Sequence, residues 1–242
     1  RYLVEEQVPP KEAVRTEEFL NYFPSALPPP AEEDFAIHLE YAPSRFGGPA
    51  HGLLKVGIKA RELDPAARKP LVLSWVVDCS GSMQGEERIG LVKRSLRMLL
   101  GQLRPDDRVG IVRFGSDAEM VLPPTAVTER GAILDAIHRL RANGSTNADA
   151  GLELGYLMAE AAFQPGASNR VVLCSDGVAN TGETHQGRIL ELVRRFSQRQ
   201  IDLTTIGIGF GNHNDVFLEQ LADGGNGACH YVDDYDEAKR VF

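Results

Sequence analysis

Leu71-Val72-Leu73-Ser74-Trp75-Val76-Val77 runs directly into Asp78-Cys79-Ser80-Gly81-Ser82-Met83. A short, almost wholly apolar run closed by a Gly/Ser turn reads as a strand covered on both faces, the setting of strands in a parallel sheet. Beyond the turn, Ile89, Val92, Leu96, Leu99 and Leu103 recur at helical spacing. The same alternation continues along the chain. Further strands are predicted at 109–114, 171–174, 203–208 and 229–232, and helices at 129–140, 148–163, 186–198 and 215–221. The run 119–122, ahead of Pro123-Pro124, suits an edge strand. This pattern predicts a doubly wound, Rossmann-like α/β sheet whose functional surface lies at the carboxyl ends of its strands.

Residues 1–50 have a different texture. Prolines at 9, 10, 24 and 28–30 punctuate a helix candidate at 16–22, with Thr16 as N-cap. Phe35-Ala36-Ile37-His38-Leu39-Glu40-Tyr41 alternates as a strand does. Gly47-Gly48-Pro49 breaks the chain before a second alternating run, Leu54-Lys55-Val56-Gly57-Ile58. The expectation is an N-terminal extension over 1–50, with an antiparallel pair on one edge of the sheet of an α/β domain spanning 51–242. Arg1 at the start, without Met, and a helical pattern cut at Phe242 read as an excised fragment.

The 242 residues include 26 Lys+Arg against 34 Asp+Glu, a formal net charge of −8. That balance disfavours sequence-independent binding to nucleic acid and leaves room for cations. The apolar runs fall well short of the ~20 residues a bilayer span needs. Cys79, Cys174 and Cys229 are too few and too scattered for a disulfide framework or a zinc ribbon.

Three loops carry the chemistry. They are Asp78-Cys79-Ser80-Gly81-Ser82-Met83, Asn143-Gly144-Ser145-Thr146-Asn147 and Cys174-Ser175-Asp176-Gly177-Val178-Ala179-Asn180. They supply two carboxylates (Asp78, Asp176) and three hydroxyls (Ser80, Ser82, Thr146), with no imidazole. An all-oxygen set with few carboxylates suits a hard divalent cation, Mg²⁺ first, with Mn²⁺ or Ca²⁺ as alternatives. Two carboxylates at most neutralise such an ion. If Asp176 acts through a water, positive charge is left over for an anionic oxygen from outside.

Asp78-x-Ser80-x-Ser82, followed by Thr146 and by Ser175-Asp176-Gly177, resembles the metal-ion-dependent adhesion site of von Willebrand factor type A domains. The resemblance covers roughly residues 70–242. It implies a mostly parallel six-stranded sheet flanked by helices, with the ion above it. It further implies that Asp78, Ser80 and Ser82 ligate directly, Thr146 and Asp176 directly or through water, and that a Glu or Asp of a protein partner completes the shell. Val14-Arg15-Thr16-Glu17-Glu18-Phe19-Leu20-Asn21-Tyr22-Phe23 looks like the N-terminal extension of one bacterial branch, often envelope-associated. The function that follows is a cation-dependent protein-interaction module, not an enzyme. Met83, Gln84, Ser145, Gly177 and Asn180 are expected to form the rim that meets the partner.

Two other functions compete. Asp78 could serve as the nucleophile of a Mg²⁺-assisted phosphoryl transfer. Aspartate-based phosphatases, however, carry a second Asp where Ser80 stands, and no general base accompanies it. The fold could also be a metal-free structural module, with Thr146 or Asn147 merely capping the helix from 148. Cys79 and Cys174 read as small buried apolar residues. Gly207-Ile208-Gly209-Phe210-Gly211 lacks the last glycine of a dinucleotide fingerprint, and no His-x-x-x-His pair suggests a zinc hydrolase.

Overall fold

The alternating runs near the start form strands β1 (Phe35–Pro43) and β2 (Gly52–Ala60). They pair antiparallel, with Ile37 opposite Ile58, Leu39 opposite Val56 and Tyr41 opposite Leu54. Residues opposite each other share a face, so one face of this hairpin is wholly apolar. It lies open, with Leu39 65% and Tyr41 73% exposed. The other face carries His38, Glu40, Lys55 and Lys59. There the His38 Nε2 lies 3.1 Å from the Pro28 carbonyl oxygen, and Lys55 pairs with Glu40 at 3.6 Å.

The computed structural model describes residues 25–46, 48, 50–62, 64, 67–177, 182–209 and 215–241. The helix predicted at 16–22 lies outside them, as does Asn180. The hairpin corrects one expectation: among the described residues β1 and β2 form a two-stranded sheet of their own. The chain divides into two units, Arg1–Arg68 and Lys69–Phe242.

The second unit is built on β3 (Leu71–Asp78), β4 (Arg108–Phe114), β5 (Ala118–Ala126), β6 (Ser168–Ser175), β7 (Ile201–Ile208) and β8 (Cys229–Val232), in the order β5-β4-β3-β6-β7-β8. All neighbours are parallel except β4 and β5. The helices are α1 (Leu91–Gln102), α2 (Arg130–Arg139), α3 (Ala148–Ala161), α4 (Gly182–Ser197), α5 (Asp215–Gly224) and α6 (Tyr235–Val241). Among the described residues no helix is long and apolar enough to cross a membrane.

Successive residues of a strand point to opposite faces, and β3 has an apolar side chain for each. Leu73, Trp75 and Val77 pack with Leu96 and Leu100 of α1, Ile133 and Ile137 of α2 and Ala238 of α6. Val76 packs on the other face with Leu152 and Tyr156 of α3, Val193 and Phe196 of α4 and Leu218 of α5. Two core layers therefore clamp the strand that carries Asp78. α3 reaches its face closely because it presents glycine there. A Cβ on Gly155 would lie 2.3 Å from Val76 Cγ2, and one on Gly151 2.5 Å from Phe114 Cδ1.

Candidate metal centre

The strand order reverses at β3 and β6. From β3 the chain moves outward to β4, and it later returns to the other side of β3 as β6. At such a switch point the turns leaving adjacent strands diverge and open a crevice at the carboxyl edge. Asp78 ends β3 and Asp176 directly follows β6, on neighbouring strands paired up to Val77 and Cys174.

Asp78 is fully buried. Its Oδ1 accepts the Ser80 N–H at 2.8 Å and its Oδ2 accepts the Ser175 hydroxyl at 2.6 Å. Burial raises its pKa above the usual carboxylate value, more than these hydrogen bonds lower it. The Ser80 and Ser82 Oγ atoms are 3.0 Å apart, and the Ser82 hydroxyl donates to Asp176 Oδ1 at 3.0 Å. Asp176 Oδ2 accepts from Arg88 Nη1 at 2.8 Å. The same nitrogen donates to the Ser82 carbonyl oxygen.

The third loop is held by its backbone. The Asn143 N–H donates to the Cys79 carbonyl at 2.6 Å, Gly81 N–H to Gly144 O at 2.8 Å and Asn147 N–H to Gly115 O at 2.8 Å. The Ser145 N–H meets the Ser116 hydroxyl at 3.0 Å. Thr146 is thereby carried on the same edge. No hydrogen bond of its hydroxyl occurs among the described residues. Asn147, not Thr146, caps α3, its side chain accepting the Ala150 N–H at 3.2 Å, which frees Thr146 from that duty.

Of the expected ligand set, the structure joins Asp78, Ser80, Ser82 and Asp176 in one cluster and brings Thr146 to the same edge by its loop. Of the expected rim, Gln84 and Ser145 are exposed and Gly177 is half-buried. Met83 is a correction. The short 3₁₀ turn Gly81–Met83 rotates its side chain inward, and it lies fully buried in the core with Trp75 and Leu91. Cys79 and Cys174 are free buried thiols, each pushed up to about 12 by burial, and a thiol so raised supplies no thiolate at neutral pH.

Sequence reasoning missed Ser175 and Arg88. Ser175 was visible as the neighbour of Asp176 but is remarkable only through its contact with Asp78. Arg88 lies among Glu86-Glu87-Arg88-Ile89 in a helical stretch, where nothing distinguishes it from Arg94 until the chain is folded.

These hydrogen-bonded oxygens belong to the residues that could hold an octahedral cation. Bonds of about 2.1 Å at right angles place neighbouring ligand oxygens about 3.0 Å apart, the spacing of Ser80, Ser82 and Asp176 in this cluster. Among the described residues its possible metal donors are serine hydroxyls and carboxylates, a set suited to Mg²⁺, Mn²⁺ or Ca²⁺ rather than zinc or copper.

Comparison with known proteins agrees with this architecture. The chain is 36% identical over its whole length to YfbK of Escherichia coli, covering 43% of that protein. It is 30% identical to inter-alpha-trypsin inhibitor heavy chain H1 of Mesocricetus auratus over 70% of this chain and 19% of that one. The chain thus spans less than half the length of these relatives. Among solved structures, a von Willebrand factor type A protein from Catenulispora acidiphila superposes with a TM-score of 0.59 at 19% identity, over 86% of this chain and 49% of that one. BatB from Bacteroides thetaiotaomicron gives 0.56 at 20% identity, over 71% and 94%. The family model described as von Willebrand factor covers residues 1–55. With the von Willebrand factor type A domain model matching residues 73–242, over the sheet, its helices and the Asp78 and Asp176 turns, the chain belongs to the von Willebrand factor type A family.

Proposed function

We propose that this chain is a divalent-cation-dependent protein-interaction module that reads an acidic side chain of a protein partner. Asp78, Ser80, Ser82, Thr146 and Asp176 are the residues that would hold the ion, Mg²⁺ first, with Mn²⁺ or Ca²⁺ as alternatives. The bound ion would supply a Lewis-acidic position for a Glu or Asp of the partner. The observation that carries this reading is the oxygen chain Ser80–Ser82–Asp176 with 3.0 Å steps beside the buried Asp78. Family membership supports it, since modules of this fold commonly mediate protein contacts. Gln84, Ser145 and Gly177 lie in the turns that carry the ligand candidates and are the described candidates for partner selection.

Each residue has a distinct part. Asp78, with both oxygens fixed by donors, supplies a preset charge at the floor. Ser80 and Ser82 turn lone pairs to the crevice once their protons are directed elsewhere. Asp176 closes the opposite wall. Gly115, Ser116 and Cys79 fasten the loop that carries Thr146.

The comparisons indicate no enzymatic activity, and no observation favours phosphoryl transfer. Ser80 stands where an aspartate-based phosphatase carries its second Asp.

The test is Mn²⁺ titration by calorimetry on the wild type and Asp78→Ala, followed by capture of partners in Mg²⁺ against chelator. Mn²⁺ binding lost in Asp78→Ala, with ion-dependent capture, supports the reading. A wild type whose thermal midpoint ignores excess ion refutes it, because a ligand selective for the native state must raise stability.

A further inference from the structure

Among the described residues, a cation of the chain itself lies against Asp176. Arg88 lies in the single turn of wide helix Glu86–Gly90 that leads into α1. Its Nη1 donates to Asp176 Oδ2 at 2.8 Å and to the Ser82 carbonyl, so it ties the turn after β3 to the turn after β6. Its stem runs past Gly209, where a Cβ would sit 3.2 Å from Arg88 Cγ. Gly209 has φ +80° and its N–H is anchored on Val232 O at 2.9 Å. The path of the arginine is therefore fixed by backbone, and a larger residue at 209 would crowd it.

The pair is partly shielded from water. The Asp176 side chain is 9% exposed and that of Arg88 33%. Charge is screened less there than at an open surface. With Oδ2 taken by the guanidinium, Asp176 turns Oδ1 to the Ser82 hydroxyl and so to the crevice.

We propose that Arg88 sets the charge of this centre: it holds Asp176 by Oδ2 with Oδ1 toward the Ser82 hydroxyl, and it offsets the charge of that carboxylate. The inference rests on the reading that the centre takes a divalent cation. Asp78 and Asp176 together bring two negative charges, and Arg88 returns one. Against a doubly charged ion the chain then leaves one positive charge unmatched, even with both carboxylates ligating. An outside carboxylate neutralises it. Arg88 thus makes the centre a weak holder of the ion alone and couples ion and acidic partner. By linkage, each tightens the other by the same factor. Arg88 acts through Asp176 and is a positioning residue, distinct from the five ligand candidates.

The variants are Arg88→Gln and Arg88→Met, both neutral. The first keeps an amide donor for Asp176, and the second keeps only the stem. Arg88→Lys retains the charge. Mn²⁺ affinity is measured by calorimetry on the full chain, with and without acetate as the carboxylate probe, and folding is checked by circular dichroism. Both neutral variants are expected to bind Mn²⁺ alone at least about tenfold more tightly than wild type, with a smaller gain from acetate. Arg88→Lys is expected to stay within a few-fold of wild type. A purely structural ion pair predicts the reverse, weaker or unchanged Mn²⁺ binding in the neutral variants.

That reverse outcome, in a wild type that binds Mn²⁺ through Asp78, overturns the role of Arg88 and leaves the metal reading standing. A rise in Arg88→Lys equal to that in Arg88→Gln overturns it as well. Silence in wild type, with a thermal midpoint that excess ion leaves unmoved, overturns the metal reading and the role of Arg88 with it. Silence in every protein overturns both proposals.

Discussion

Asp78 and Asp176 close adjacent strands and face one crevice, yet the chain treats them in opposite ways. Asp78 is sealed, with a backbone N–H on one oxygen and the Ser175 hydroxyl on the other, both from residues that are themselves fully or almost fully buried. Asp176 sits higher, in a turn, and takes its donors from the half-buried Arg88 and the exposed Ser82. The first carboxylate has neutral donors and a burial penalty, so its pKa rises. The second has a full positive charge beside it. The difference shows how one site separates rigidity from charge control. The strand end supplies a fixed anion, and the next turn supplies an anion whose charge is already compensated.

The largest expected effect follows from removing the fixed anion. Asp78→Ala should abolish measurable Mn²⁺ binding, at least about a hundredfold loss, while the circular dichroism spectrum stays native. Retained affinity in that variant would break the contrast at its root. Asp176→Ala removes a carboxylate already paired with Arg88, so its loss in Mn²⁺ affinity should be clearly smaller, about tenfold. Equal losses in the two titrations would show that the carboxylates are equivalent after all.

Stability offers a finer test. Ser175→Ala removes the hydroxyl that serves Asp78 and leaves a buried carboxylate oxygen short of a donor. A loss of about 1–3 kcal/mol in urea unfolding is expected. Ser82→Ala, which withdraws a donor from the more accessible Asp176, should cost less than about 1 kcal/mol. A ranking of these two variants in the opposite order contradicts the burial difference.

The smallest effect concerns pH in the ion-free chain. Because the folded pKa of Asp78 is raised by burial, folding favours its protonated form. Its stabilising contribution is full below the unfolded pKa and is lost as pH rises through the folded one. Asp78→Asn keeps the hydrogen bonds without the buried charge. It should therefore be more stable than wild type at neutral pH, and the gap should shrink as the solution is made mildly acidic. A gap independent of pH removes desolvation as the cause.

Much of this was legible before folding. The strands read at 71–77, 109–114 and 203–208 announce themselves because a strand buried on both faces must be largely apolar. The residues of the crevice were legible as types, since hydroxyls and carboxylates two apart after such a strand have few other reasons to recur together. What escaped depends on rotation and on long-range contact. Met83 shares the turn of Ser82, but a 3₁₀ step turns it into the core, and no periodicity survives in a three-residue turn. The Arg88–Asp176 pair spans 88 positions of sequence, so only the sheet order brings it together. The hairpin alternates as any edge strand would, and alternation does not say which sheet a strand joins.

The glycines of α3 have one more consequence. Gly151 and Gly155 let that helix press closely on the Phe114 and Val76 side chains of the sheet, and its first residue, Ala148, comes two positions after Thr146. The standoff between helix and sheet is thus a gauge for how far the Thr146 hydroxyl stands from the Asp78 turn. A methyl group inserted beneath the helix, a full turn or more from any ligand atom, would act as a shim and lift that oxygen away. Hydrogen atoms deep in the packing determine the calibre of the crevice above.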